Sequence, residues 1–305
     1  MTLRKSLMAD SGLLLVAFFW GTTFVIVQGA IQTLPPFIFN AWRFLCASLC
    51  LCLAIPFIRG YGQKNVTRQT LFKGGILGTL LFAGYSTQTM ALIYSSASKV
   101  AFITGLSVVL VPIFAFIILR EQPKLAALLG VGAATVGLYL MSIFKDLSIH
   151  AGDFLAFLCA FGFALHIIYT ATFTKNESSL HLTIIQLLVV SLLSFLGGLV
   201  TDGVTATFLP ESLIQPEVLW SLLSTAILAT SLAYFMQTYL QLFTPATHVG
   251  LIFIMEPVFA ALTAVIWQNE QIPLHVKWGS ALIMIGMLLA EWPQKSHSDS
   301  ASKNV

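Results

Sequence analysis

Residues 85–102 read YSTQTMALIYSSASKVAF, and residues 234–251 read YFMQTYLQLFTPATHVGL. Laid over one another at an offset of 149, Tyr85 meets Tyr234, Gln88 meets Gln237 and Thr89 meets Thr238. Ala97 then falls on Ala246 and Val100 on Val249. The gapless match from 84 to 140 gives 15 identities in 57 positions, among them Glu121 with Glu270, Gln122 with Gln271, Gly130 with Gly279 and Gly137 with Gly286. Apolar composition alone produces some matches, but not matched Tyr, Gln, Thr and Glu. Upstream the offset drifts to 143, where Trp20-Gly21 faces Phe163-Ala164. The chain reads as one unit written twice.

The solvent of that unit follows from composition. Of 305 residues, 57% are apolar and 9% charged, with a mean hydropathy of +0.90. A soluble domain carries about 25% charged residues, so this chain cannot be wetted all round. Hydrocarbon tolerates only helices and closed barrels, and apolar runs of about 20 residues without strict alternation are spanning helices. Ten such runs lie near 11–29, 36–58, 72–92, 98–119, 125–143, 151–173, 181–201, 217–241, 247–267 and 274–292. The expected fold is an all-α integral membrane protein of ten transmembrane helices in two five-helix repeats, 1–145 and 146–292, with a disordered tail at 293–305.

Five is odd, so the second half must enter the membrane upside down. Inverted repeats related by an in-plane twofold are characteristic of secondary transporters, whose sites lie near the midplane between the halves. With the N-terminus inside, Arg4, Lys5, Arg59, Lys64, Arg68, Lys73, Arg120, Lys124, Lys175, Lys295 and Lys303 fall on inner segments, and only Lys99, Lys145 and Lys277 on outer ones. That 11-to-3 distribution places both termini in the cytoplasm of a cell-membrane protein. It also accounts for the net charge of +3 without nucleic acid. Cys46, Cys50, Cys52 and Cys159 all fall inside spans as small packing residues. Arg4 and Lys5 before an apolar run resemble a signal peptide, but the first span has a counterpart in the second half, which argues against cleavage.

On a helix, Tyr85, Gln88 and Thr89 share one face, as do Tyr234, Gln237 and Thr238, with Gln241 continuing it. Matching polar patches on both sides of a central cavity suit alternating access. The plainer reading is inter-helix hydrogen bonding that holds the bundle together.

The sequence resembles the EamA-type branch of the drug/metabolite transporter superfamily over nearly its whole length. FFWGTTF in the first span, NAWRFLCASL in the second and ATHVGLIFIMEPVFAALTAVIWQNEQ in the ninth carry the likeness, and SASKVAFITGLSVVLVPIFAFIILREQ repeats the last in the first half. That copy departs at one point: Pro112 stands one turn beyond Val108, the equivalent of Pro257, which leaves the symmetry of the kinks open. The resemblance implies ten helices and gradient-driven export of small metabolites or drugs.

An ionisable group within a span is a functional candidate by default. Glu256 lies about mid-span in LIFIMEPVFAAL, where Pro257 frees the carbonyl of Phe253 and allows a kink. Its carboxyl suits a substrate amine or a proton, unless it only satisfies a neighbouring helix. Arg43, roughly 12 Å from the outer end of its span, is read as structural, although a substrate carboxylate or Glu256 are possible partners. His166 in AFGFALHIIYT can bond substrate, relay protons or hold the bundle. Trp20, Phe24 and Gln28 lie four residues apart and form either an aromatic cavity wall or ordinary packing. Lys99 and His248 read as interfacial anchors. Glu121 and Glu270 precede prolines at helix starts, where the dipole favours carboxylates. Gly74-x-x-x-Gly78, Gly130 and Gly279 mark close helix contacts, the last two on a packing or homodimer face.

No GxxxxGK[ST], HExxH, GxSxG or metal-spaced Cys/His cluster occurs, so no cofactor is expected. The expected function is secondary active export of an amino acid-like metabolite or drug by alternating access, with protons as a possible coupling partner. Import or facilitated passage of a small metabolite is the alternative, and an intramembrane enzyme pairing Glu256 with His166 the weaker one.

Overall fold

The computed structural model describes residues 3–57, 66–95, 97–142, 151–208, 211–268 and 273–291. The expected tail at 293–305, the boundary at 145/146, Glu270 with Gln271, and Arg59, Lys64, Lys145, Lys295 and Lys303 lie outside the described residues. Among those residues there is no strand. The helices are α1 (Leu3–Ala30), α2 (Pro36–Ala54), α3 (Arg68–Tyr94), α4 (Ala97–Gly105), α5 (Ser107–Phe114), α6 (Leu125–Ser142) and α7 (Ala151–Phe173). They continue as α8 (Ser179–Thr201), α9 (Gly203–Phe208), α10 (Pro216–Ser224), α11 (Ala233–Leu240), α12 (Ala246–Phe253), α13 (Glu256–Gln268) and α14 (Leu274–Glu291).

Local chemistry sets the starts and stops. Proline opens α2 and α10, where its missing N–H costs nothing. Thr67 and Thr70 form a reciprocal capping box ahead of α3, with backbone-to-hydroxyl bonds of 3.1 and 3.2 Å. Arg120, left-handed at φ 56°, stops the π-helical stretch Ala115–Leu119 that follows α5.

Eight helical segments are long and apolar enough to cross a membrane, and two shorter apolar helices, Leu125–Met141 and Leu274–Leu289, accompany them. The two short ones correspond to the fifth and tenth expected spans; α6 and α14 have 18 residues each, about 27 Å against a hydrocarbon core of about 30 Å. Burial is inside out relative to a soluble protein. Leu53 is 75% and Val200 87% exposed on the perimeter, whereas Thr183 and Gln186 are 0% exposed. Lipid is the solvent that makes this favourable, so the protein is a multi-pass membrane protein.

Small residues let the helices meet. A Cβ on Gly137 would lie 2.6 Å from the carbonyl oxygen of Gly279, and one on Gly286 would lie 2.6 Å from that of Gly130. The backbones of α6 and α14 therefore touch, and the glycines expected to serve a packing or dimer face are occupied within the chain. Gly74 and Gly78 receive Ile185 and Val189 of α8, while Gly21 of α1 meets the carbonyl of Glu256.

Two helix columns are broken. The first breaks at Leu106, between α4 and α5, and the second at Ile254–Met255, between α12 and α13. Leu106 and Met255 are 149 apart, so the breaks coincide although the prolines do not. Pro257 sits just inside α13. In the first half Gly105 and Ser107 flank the break, another recurrent cause of kinks, and Pro112 lies within α5.

Helix starts are tied together by related sets of side chains. At the start of α4, Lys99 Nζ lies 2.7 Å from Asp153 of α7 and Ser95 Oγ donates to the same carboxylate at 3.0 Å. At the start of α12, Thr244 Oγ1 donates to Asp10 of α1 at 2.7 Å. Ser95 and Thr244 are 149 apart, Asp10 and Asp153 are 143 apart, and His248 stands where Lys99 does. Lys99 is thus half of an ion pair rather than only an interfacial anchor. Glu121 lies in the irregular stretch 120–124 before α6.

Candidate functional site

A cavity of about 50 Å³ lies between α1, α3, the α4–α5 break, α7, α11 and the α12–α13 break. At roughly 10–15 Å³ per water it holds a few water molecules. Tyr234 donates its hydroxyl hydrogen to the hydroxyl of Tyr85 at 2.9 Å, across 149 residues. An aromatic ring lies against each tyrosine: Phe163 lies 5.3 Å from Tyr85 and Trp20 5.2 Å from Tyr234, centroid to centroid. Both distances suit favourable ring pairs. Trp20 and Phe163 are themselves 143 apart.

The π-helical turn Thr225–Leu232 helps to place these groups. There the Ala233 N–H bonds back to the carbonyl of Leu228, a five-residue step typical of a π-bulge at a functional site. In the same turn the carbonyl of Ala229 accepts the Trp20 indole N–H at 2.8 Å. Thr230 Oγ1 donates to the carbonyl of Thr225 at 2.9 Å and accepts Arg43 Nε at 2.7 Å.

Trp20, Phe24, Tyr85, Gln88, Thr89, His166, Tyr234, Gln237 and Glu256 all line the cavity. Thr238 does not: it is fully buried, and its Oγ1 accepts Gln186 Nε2 at 3.2 Å. Thr89 has the corresponding bond, accepting Asn40 Nδ2 at 3.0 Å, yet it also reaches the cavity. For Thr238 the bundle-holding reading is therefore the correct one. His166 is held through Nε2 by Gln186 Oε1 at 2.7 Å. Gln28 is absent from the lining, and Gln241 is buried between Gln237 and the carbonyl of Ile167.

The two intramembrane charges share this cavity. Arg43, expected to be structural, is 2% exposed and lines it. Its guanidinium carbon lies 5.1 Å from the Tyr85 ring centroid and 5.5 Å from that of Phe44, within cation–π range. Glu256 is the first residue of α13 and lines the wall beside Pro257.

Thr23, Thr104, Gly105 and Ser107 also line the cavity and had not been expected there. Ser107 is 149 residues before Glu256, so the repeat itself was the signal. Among the described residues no three His, Cys, Asp or Glu side chains gather in a metal-like group. A second cleft of about 400 Å³ lies between α1, α10 and α13, lined by Val25, Ile26, Trp220 and Thr263 among others, and none of the expected site residues reaches it.

Comparison with known proteins agrees with this architecture. The model of the EamA-like transporter family matches residues 7–143 and again residues 150–292. An uncharacterized transporter of Archaeoglobus fulgidus is 32% identical over 285 residues, covering 93% of this chain and 86% of its own. The uncharacterized transporter YwfM of Bacillus subtilis is 24% identical over 306 residues, covering 95% and 96%. A solved crystal structure superposes with a TM-score of 0.76 at 17% identity, covering 93% of this chain and 96% of that one, a likeness of fold.

Proposed function

The chain belongs to the EamA-like transporter family, and from that premise we propose a secondary transporter that exports a small metabolite by alternating access. All ten apolar helices cross the membrane as two inverted halves, with both termini cytoplasmic. The cavity between the halves carries substrate, and Glu256 carries a proton or a substrate amine.

The observation that carries this reading is that repeat-equivalent residues meet one another. Tyr85 bonds its own equivalent, Tyr234. Exchanging the halves turns the Gly137–Gly279 contact into Gly286–Gly130, which is also present, and turns the Tyr85–Phe163 pair into Tyr234–Trp20. Reciprocal contacts of this kind are what a twofold relation produces, and they are expected of inverted-repeat transporters.

Two related latches at opposite ends of the bundle supply the gates. Ser95 and Lys99 with Asp153 close the outer end, and Thr244 with Asp10 closes the inner end. The small central cavity then corresponds to a state closed at both ends, and each half-cycle opens one latch.

Export is tested by comparing the medium of cells overproducing the protein with that of cells lacking it. A solute enriched outside the overproducing cells is expected. Equal profiles across the metabolite panel reject export, and accumulation inside would indicate uptake instead. Reporter fusions after residues 65 and 205 should report inside and outside respectively, and the same side for both would overturn the topology.

A further inference from the structure

We infer that the central cavity recognises an α-amino acid as a zwitterion, its carboxylate on Arg43 and its ammonium group between Glu256 and the side-chain carbonyl of Gln237. This deepens the transporter reading and rests on it. Three groups around the cavity lack a partner that a ligand of this polarity supplies.

The first is Arg43. A guanidinium has five N–H donors, and the one hydrogen bond it makes among the described residues is Nε to Thr230. No carboxylate of those residues lies within ion-pair distance of it. Two ring faces hold the group, leaving the planar fork for a carboxylate, which it fits in bidentate geometry. The second is Glu256, whose carboxyl has neither a hydrogen bond nor an ion pair among the described residues, although it lines the same cavity.

The third is Gln237 Oε1, a buried acceptor without a partner in a side chain only 1% exposed. Its orientation is fixed by a chain of bonds. The carbonyl of Ile167 can only accept, so Gln241 presents Nε2 to it at 3.2 Å. Gln241 Oε1 then accepts Gln237 Nε2, also at 3.2 Å, and the carbonyl end of Gln237 is left over. A buried orphan acceptor is rare, and ligand is one of its few explanations.

Polarity separates the alternatives. A simple cation satisfies Glu256 and Gln237 but leaves the guanidinium buried with one hydrogen bond. An anion satisfies Arg43 and faces the Glu256 carboxylate. Only a molecule carrying both charges completes all three groups, and an α-amino acid does so compactly. The cavity as it stands is smaller than such a ligand, so binding accompanies opening of one latch.

The test uses the full-length protein in detergent micelles and calorimetric titration with each of the common L-amino acids. The tightest binder is then compared with its decarboxylated amine and its des-amino acid. Each truncated analogue should bind at least about tenfold more weakly, the scale of one lost charge-assisted pair. In Arg43→Gln the amino acid should bind no better than its amine. In Gln237→Leu its affinity should fall while that of the des-amino acid is unchanged. The comparison of analogues on the unmodified protein stands even where a variant does not fold. Absence of binding by any amino acid, or an amine that binds as tightly as its parent, overturns the assignment. Either result leaves export of another solute measurable in the medium, so failure here is distinguishable from failure of the transporter reading.

Discussion

Asp153→Asn should open the outer gate. Asp153 accepts Lys99 Nζ at 2.7 Å and Ser95 Oγ at 3.0 Å, with Lys99 19% and Asp153 13% exposed at the side chain. Hydrogen bonds to charged groups contribute about 1.5–3 kcal/mol net, and the remaining exposure favours the lower end. Asparagine keeps an acceptor for Ser95 and removes the ion pair. A loss of about 1.4 kcal/mol from the closed state shifts the equilibrium roughly tenfold toward outward opening. The assay labels Ser107→Cys, a cavity position, with a membrane-impermeant thiol reagent on whole cells. Alanine replaces the free cysteines Cys46, Cys50, Cys52 and Cys159. Labelling should accelerate about tenfold with Asp153→Asn, and similarly with Lys99→Gln. The double variant should add little, because both changes break one bond. Thr244→Val, which breaks the inner latch, should slow external labelling. Unchanged labelling in Asp153→Asn, or acceleration by Thr244→Val, would refute the gate assignment.

Glu256→Gln should retain folding but lose uphill transport in proteoliposomes while exchange between equal pools persists, if the carboxyl carries a proton. If it binds an amine, exchange fails too, and full uphill transport with an unchanged pH profile leaves it structural. Tyr85→Phe and Tyr234→Phe each remove the 2.9 Å central bond, so a double-mutant cycle on thermal stability should give a coupling of about 1 kcal/mol; strict additivity would mean that the bond contributes nothing. Gly137→Leu should abolish folded protein, because even a Cβ there lies 2.6 Å from the Gly279 carbonyl oxygen, whereas Gly132→Ala meets nothing within 4 Å and should be tolerated. Size-exclusion profiles of the two purified variants distinguish these outcomes.

The fold was legible because lipid forces a simple code: apolar runs set the helices, and the polar triplets stood out against them. The candidate site was legible where the repeat doubled the signal, as at Tyr85 with Tyr234 and Gln88 with Gln237. Thr238 shows the limit of that signal. Its face was read correctly, but whether a threonine on that face reaches the cavity or a neighbouring amide depends on α8, far away in sequence. Arg43 was misjudged for a related reason, since its place is set by Thr230 in a π-helical turn that no apolar period announces. The latches were within reach, Asp10 and Asp153 being identical at the drifted offset, but a carboxylate near a helix end reads alone as a cap. Ser107 escaped because a serine draws little notice until it is laid against Glu256.

The hydroxyl pair at the centre also bears on why transport has a direction. If the halves trade roles during the cycle, Tyr85 and Tyr234 present the same chemistry to either compartment, and such a centre cannot act as a rectifier. Bias must arise where duplication has been followed by divergence. Two such places are on record: Lys99 against His248 at the rims, a permanent cation facing a titratable one, and Ser107 against Glu256 in the wall. The common ancestor of the halves would have been indifferent to which side it faced, and these few substitutions are where a preference was first written.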